Sequence, residues 1–139
     1  MTWIPYALLS AFFAALVAVF GKLGLSGIDS TLATTVRSVV MAGFLVCLSF
    51  VLGKAHLLSS LNSKTLVAII LSGVAGALSW LFYFMALRVG PASGVAAVDR
   101  LSVVFVLILA LLFLGEHLTW KTGVGISLVT VGAIFMVLK

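Results

Sequence analysis

Apolar runs close to 20 residues long recur from one end of the chain to the other, separated by short polar breaks. About 20 helical residues cross the hydrocarbon core of a bilayer. Only helices and closed barrels satisfy every backbone polar group in lipid. Barrel strands alternate apolar and polar side chains, whereas these runs are continuously apolar. The expected fold is therefore all-α and integral to the membrane, a bundle of five transmembrane helices. The spans fall at about residues 3–20, 30–52, 64–87, 92–114 and 119–138. Charged residues make up only 8% of the chain, against about 25% in soluble domains. So few charges cannot cover a water-facing surface, and the solvent of most of this protein is lipid.

The breaks read as span ends. Trp3 and Tyr6 stand where an aromatic belt would hold the first span. That run lacks a positive leader and a cleavage site, so it is expected to be a retained helix. Lys22 ends it, and Asp29 or Ser30 can cap the next. Gly53–Ser63 is the longest polar connection, and Asn62 or Ser63 can cap the third span. Arg88-Val89-Gly90-Pro91 is a tight turn, with glycine closing one helix and proline opening another. Gly115, Glu116 and His117 close the fourth span as a solvated terminus, and Thr119 caps the fifth. The connections leave no room for a soluble domain.

The net charge is +5, but the eight cations are scattered singly, mostly at span ends, where they anchor helices at the interface. With no basic cluster, nucleic acid is not an expected partner. Cys47 is a lone cysteine in an apolar run, expected to be a small buried packing residue. No set of ligands implies a metal or other cofactor, and no catalytic constellation marks an enzyme.

Three charges lie inside spans: Arg37 in the second, and Asp99 and Arg100 in the fourth. Let A be the side of the N-terminus and B the other. The second and fourth spans start on B and the third ends there. Arg37 and Asp99 then sit roughly 10 to 12 Å below side B at 1.5 Å per residue. Trp80 falls at a similar depth, with Tyr83 slightly nearer the surface. An intramembrane charge costs about 2.5 to 3.5 kcal/mol on the insertion scale. Pairing or a water-filled cavity relieves that cost. Adjacent residues point about 100° apart on a helix, so Asp99 is expected to pair with Arg37 across helices rather than with Arg100. Two readings of this layer stay open. It is a staple between the second and fourth spans, or it lines a substrate or ion pathway made of Arg37, Trp80, Tyr83, Asp99, Arg100 and Ser102.

Small residues mark packing faces. Ser72 with Gly76, and Gly73 with Ala77, are small pairs four apart in the third span. In the fifth span, Gly125 and Gly132 are seven apart on one face, with Ser127 nearby, a pattern suited to a close helix pair within the chain or with a second subunit.

Several stretches together resemble the EamA domain of the drug/metabolite transporter superfamily. They are Ala86-Leu87-Arg88-Val89-Gly90-Pro91-Ala92-Ser93, then Phe113-Leu114-Gly115-Glu116, then Leu118 before a glycine-bearing last span. Phe20-Gly21-Lys22 and Arg37 resemble the opening of such domains. The resemblance implies one five-helix repeat of the drug/metabolite transporter fold, in the cell membrane of a prokaryote as a multi-pass protein. It implies a secondary transporter of small metabolites or drugs. Typical members join two repeats of opposite orientation. Gly125, Leu128 and Gly132 also resemble the dimerisation helix of the small multidrug resistance proteins. Two departures stand out. The first span has no acidic residue, so the proton-coupling glutamate of that related family has no counterpart. Asp99-Arg100-Leu101-Ser102 stands where EamA domains often carry proline.

The expectation is a homodimer working by alternating access. Arg37 and Arg100 would hold an anionic or zwitterionic substrate, and Asp99 would hold the arginines or take part in proton coupling. The alternatives are a non-transporting assembly or accessory subunit and a flippase for lipid-linked substrates. Cations outside the spans number Lys54, Lys64 and Lys121 on side A, against Lys22, Arg88 and Lys139 on side B. The positive-inside rule then sets no orientation. Dual topology and an antiparallel homodimer are expected, with the parallel dimer as the competing arrangement.

Overall fold

The computed structural model describes residues 2–115 and 117–138, so Glu116 and Lys139 lie outside the described residues. The described residues form helices and turns without a strand. They comprise α1 (Ile4–Gly24), α2 (Ser30–Val51), a 3₁₀ turn (Ala55–Ser60), α3 (Ser63–Val89), α4 (Ala92–Asp99), α5 (Ser102–Leu109) leading into a π turn (Ala110–Leu114), and α6 (Trp120–Phe135). The first three long helices and the combined Ala92–Leu114 segment are each long and apolar enough to cross a membrane. α6 has 16 residues, about 24 Å of helix. The N–H groups of Met136, Val137 and Leu138 bond back to Gly132 and Ile134, adding an apolar turn.

Polar side chains in the breaks set the helix starts. The Asp29 carboxylate accepts from the backbone N–H of Thr31 at 2.8 Å and of Leu32 at 3.2 Å. Asn62 accepts from Thr65 N–H at 2.8 Å, and Thr119 from Thr122 N–H at 3.2 Å. Each side chain satisfies a donor that the first helical turn leaves open.

The chain divides into two compact units, Leu23–Arg88 and Met1–Lys22 with Val89–Lys139. The first is the α2–α3 hairpin. Its ends meet in an ion pair, Arg88 to Asp29 at 3.5 Å. Leu87 is fully buried and Phe84 nearly so. In the opening turns of α2, Thr34, Thr35 and Ser38 each donate to the carbonyl four residues back, at 2.7 to 2.9 Å. These hydroxyls therefore need no water inside an apolar span.

In the second unit, α4 and α5 both pack on α6. The buried positions are small: Ala18, Gly94, Ala97, Ala110 and Ala133. Small side chains let helices approach closely, and large ones such as Phe105 and Phe113 face outward. The Lys22 ammonium donates to the Gly90 carbonyl at 2.8 Å, tying the end of α1 to the turn before α4. One expectation is corrected here. Cys47 is exposed on α2 rather than buried, because an apolar side chain facing lipid requires no protein cover.

Candidate functional site

Within the hairpin, Arg37 stands seven residues after Ser30, about 10 Å into α2. It is half-buried, as are Trp80 and Tyr83 on α3. The Arg37 Cζ lies 3.7 Å from the centroid of the Trp80 ring and 5.5 Å from that of Phe84. A guanidinium over an aromatic face is held by the ring quadrupole, and more strongly where water is excluded. The three rings support one another. Trp80 meets Tyr83 edge to face at 5.4 Å and Phe84 at 6.1 Å, and Tyr83 lies 6.3 Å from Phe84.

Phe84 is the member that sequence reasoning missed. Its signal was available, because Trp80, Tyr83 and Phe84 stand at i, i+3 and i+4 and so share one helix face. Arg88, four residues beyond Phe84, continues that line to the ion pair with Asp29. The two backbone N–H groups of Leu32 and Thr31 hold the Asp29 carboxyl below the usual aspartate range, and Arg88 adds to this.

The other residues expected to line a pathway belong to the other unit, where the fourth span is not one regular helix. Asp99 ends α4, Arg100 and Leu101 form a turn, and Ser102 starts α5. The N–H groups of Arg100, Leu101, Val103 and Val104 all bond three residues back, at 2.9 to 3.2 Å. Arg100 thus bonds to Ala97 and passes over the carbonyl of Ala96. This is a mid-helix 3₁₀ step, which frequently marks a functional hinge. Residues three apart eclipse in such a step, so Asp99 and Ser102 keep a common face. Asp99, Arg100 and Ser102 are all exposed. Leu101 instead lines an apolar groove of about 230 Å³ with Val98, Ala133 and Ile134. At its far end the span widens into the π turn and closes at Gly115, whose φ of +67° is left-handed. That conformation suits glycine because it has no Cβ.

The structure therefore brings Arg37, Trp80 and Tyr83 together, adds Phe84, and gathers Asp99, Arg100 and Ser102 at the break. Arg37 and Asp99 belong to different units, and in its own unit Arg37 is held by aromatic faces. Gly125 and Gly132 are exposed on α6, with open space where a Cβ would stand. Ser127 donates to the Gly123 carbonyl at 3.0 Å. Gly123, Ser127 and Trp120 line an open apolar groove of about 640 Å³ along the helix.

Residues 1–138, nearly the whole chain, match the EamA-like transporter family. The chain belongs to that family. A relative from Sinorhizobium sp, named an uncharacterized transporter in the cobO 3' region, is 41% identical over 135 residues, 97% of this chain and 96% of its own. No solved structure matches. This EamA-like chain is accordingly a multi-pass membrane protein of the drug/metabolite transporter superfamily. Family and relative alike point to transport rather than catalysis.

Proposed function

We propose that the chain is a secondary transporter of small metabolites or drugs, acting as a homodimer by alternating access in the cell membrane of a prokaryote. The observation that carries this reading is the charged layer itself, in a family of transporters. Arg37 is kept in the span by aromatic faces, and Asp99 and Arg100 stand exposed at an irregular step. Exposed charges inside a span call for a cavity or a partner. An irregular backbone at membrane depth is tolerated where it lines such a space. Broken helices of this kind form the binding sites of many secondary transporters.

The homodimer reading draws on α6, at whose glycines there is open space where a Cβ would stand. The antiparallel form draws on the balanced cations. It also draws on the aromatic side chains Trp3, Tyr6 and Trp120, which all stand at side A ends of their helices and are exposed. An inverted pair would supply an aromatic belt at both interfaces.

The test is solute uptake into liposomes containing the purified protein. Asp99→Asn and Arg37→Ala are expected to abolish uptake while the protein stays folded and dimeric. Unchanged uptake in both variants would remove the charged layer from the mechanism. A homodimer that moves solute unaided would exclude an accessory subunit, and scrambling of labelled lipid would point to a flippase instead. C-terminal reporter fusions should be active on both sides of the membrane. Activity on one fixed side would defeat the inverted dimer.

A further inference from the structure

The stack of Arg37 on Trp80 leaves the guanidinium with a defined capacity for a ligand. A separation of 3.7 Å between Cζ and the ring centroid is that of two flat groups lying face to face. An N–H aimed into the ring would hold Cζ farther away by most of a C–N bond, about 1.3 Å. The indole therefore covers one face of the guanidinium, and the five N–H donors spread sideways in its plane. Among the described residues of the hairpin none accepts a hydrogen bond from them. The one carboxylate of that unit, Asp29, is engaged with Arg88 and its own helix start. A planar cation fixed about 10 Å inside a span, with a free fork and an aromatic wall beside it, has a narrow range of complementary groups.

We propose that Arg37 and Trp80 form a binding site for an organic carboxylate carried on an apolar, flat body. This inference rests on the transport reading of the same residues and names the substrate class. A carboxylate meets the fork through two parallel charge-assisted N–H···O bonds. The stack fixes the plane of the fork, so less freedom is lost on binding. One guanidinium balances one carboxylate. A phosphate monoester carries nearly two charges at neutral pH and would leave one unbalanced in a medium where that is costly. A cation meets a face of Trp80 that Arg37 already occupies, and a like charge besides. The half-buried Tyr83 ring, edge to face with Trp80, extends the apolar surface on which the body of the ligand would rest, and the buried Phe84 ring backs it.

The experiment titrates benzoate, benzamide and benzamidinium on the full-length protein in detergent. Trp3→Phe and Trp120→Phe leave Trp80 as the sole indole of the three in the chain. Benzoate is expected to change Trp80 emission saturably, with the amide and the cation at least about tenfold weaker. Arg37→Lys keeps the charge but loses the fork, and should weaken benzoate about tenfold or more with an unchanged circular dichroism spectrum. Equal binding of the three compounds overturns the proposal, as does benzoate binding that Arg37→Lys leaves intact. Should Arg37→Lys fail to fold, the three-compound comparison on the native arginine decides alone. Liposomes separate this inference from the transport reading. Saturable benzoate binding without uptake of any solute supports the site and sinks transport. Uptake of neutral or cationic solutes that benzoate fails to inhibit supports transport and overturns the carboxylate site.

Discussion

The α2–α3 hairpin and the broken fourth span carry the same burden, a charge inside an apolar helix, and meet it in opposite ways. The hairpin surrounds its charge. Arg37 lies on Trp80 and near Phe84, hydroxyls bond back to their own helix, and Asp29 with Arg88 closes the end. The fourth span leaves its charges open and alters its backbone instead, stepping from α to 3₁₀ at Arg100 and Leu101 and to π near its far end. Large side chains hold the first region and small ones the second. A packed charge makes a preorganised contact point. An open charge on an irregular helix makes a place where local structure changes at low cost. The transport reading proposed above assigns recognition to the first and movement to the second.

That contrast implies unequal sensitivity to truncation. Phe84→Ala should cost most, about 1–3 kcal/mol in unfolding titrations in mixed micelles. This is the packing share of the penalty seen in soluble cores, since lipid itself solvates apolar groups. Phe113→Ala, 79% exposed in the π turn, should stay within about 0.5 kcal/mol. Equal losses would erase the distinction between a packed and an open region. Trp80→Leu removes the face under Arg37 while keeping an apolar side chain. About 1–2 kcal/mol of stability should go with it, together with the benzoate response.

Effects of comparable or smaller size are expected from backbone positions in the second unit. Gly115→Ala forces a Cβ into a left-handed residue and should cost about 1–2 kcal/mol, read as a lowered midpoint of thermal unfolding. Thr119→Ala removes the cap of α6 and should cost about 1 kcal/mol, with faster amide exchange confined to the first turn of that helix. The least effect is that of pH on the hairpin. The carboxyl of Asp29 is held below its ordinary value in the fold, so folding binds fewer protons than the unfolded chain does. Its contribution is fully present above about pH 4, the ordinary aspartate range, and is lost as pH falls through the lower folded value. Stability of the α2 start should be flat from neutral to mildly acidic pH and decline only below that range. The decline should be absent in Asp29→Asn.

The class of the protein and the layout of its spans follow from the order of its residues. Lipid demands apolar helices of a given length, and that demand is written residue by residue. Thr119 was legible as a cap, and Asp29 and Asn62 each as one of two adjacent candidates, for a similar reason, because a cap acts on backbone groups two or three residues away. The depth of Arg37, Trp80 and Tyr83 could also be counted along the chain. Helix packing decided that Arg37 would lie on Trp80 with Phe84 beside it, since contact across helices depends on how two helices are rotated toward each other. It also decided that the fourth span would break at Arg100 and Leu101. No proline or glycine stands there to announce it, and a run of aliphatic residues is compatible with α, 3₁₀ and π spacing alike. Where a property depends on neighbours in sequence it could be read. Where it depends on neighbours in space, the packing of the helices supplied it.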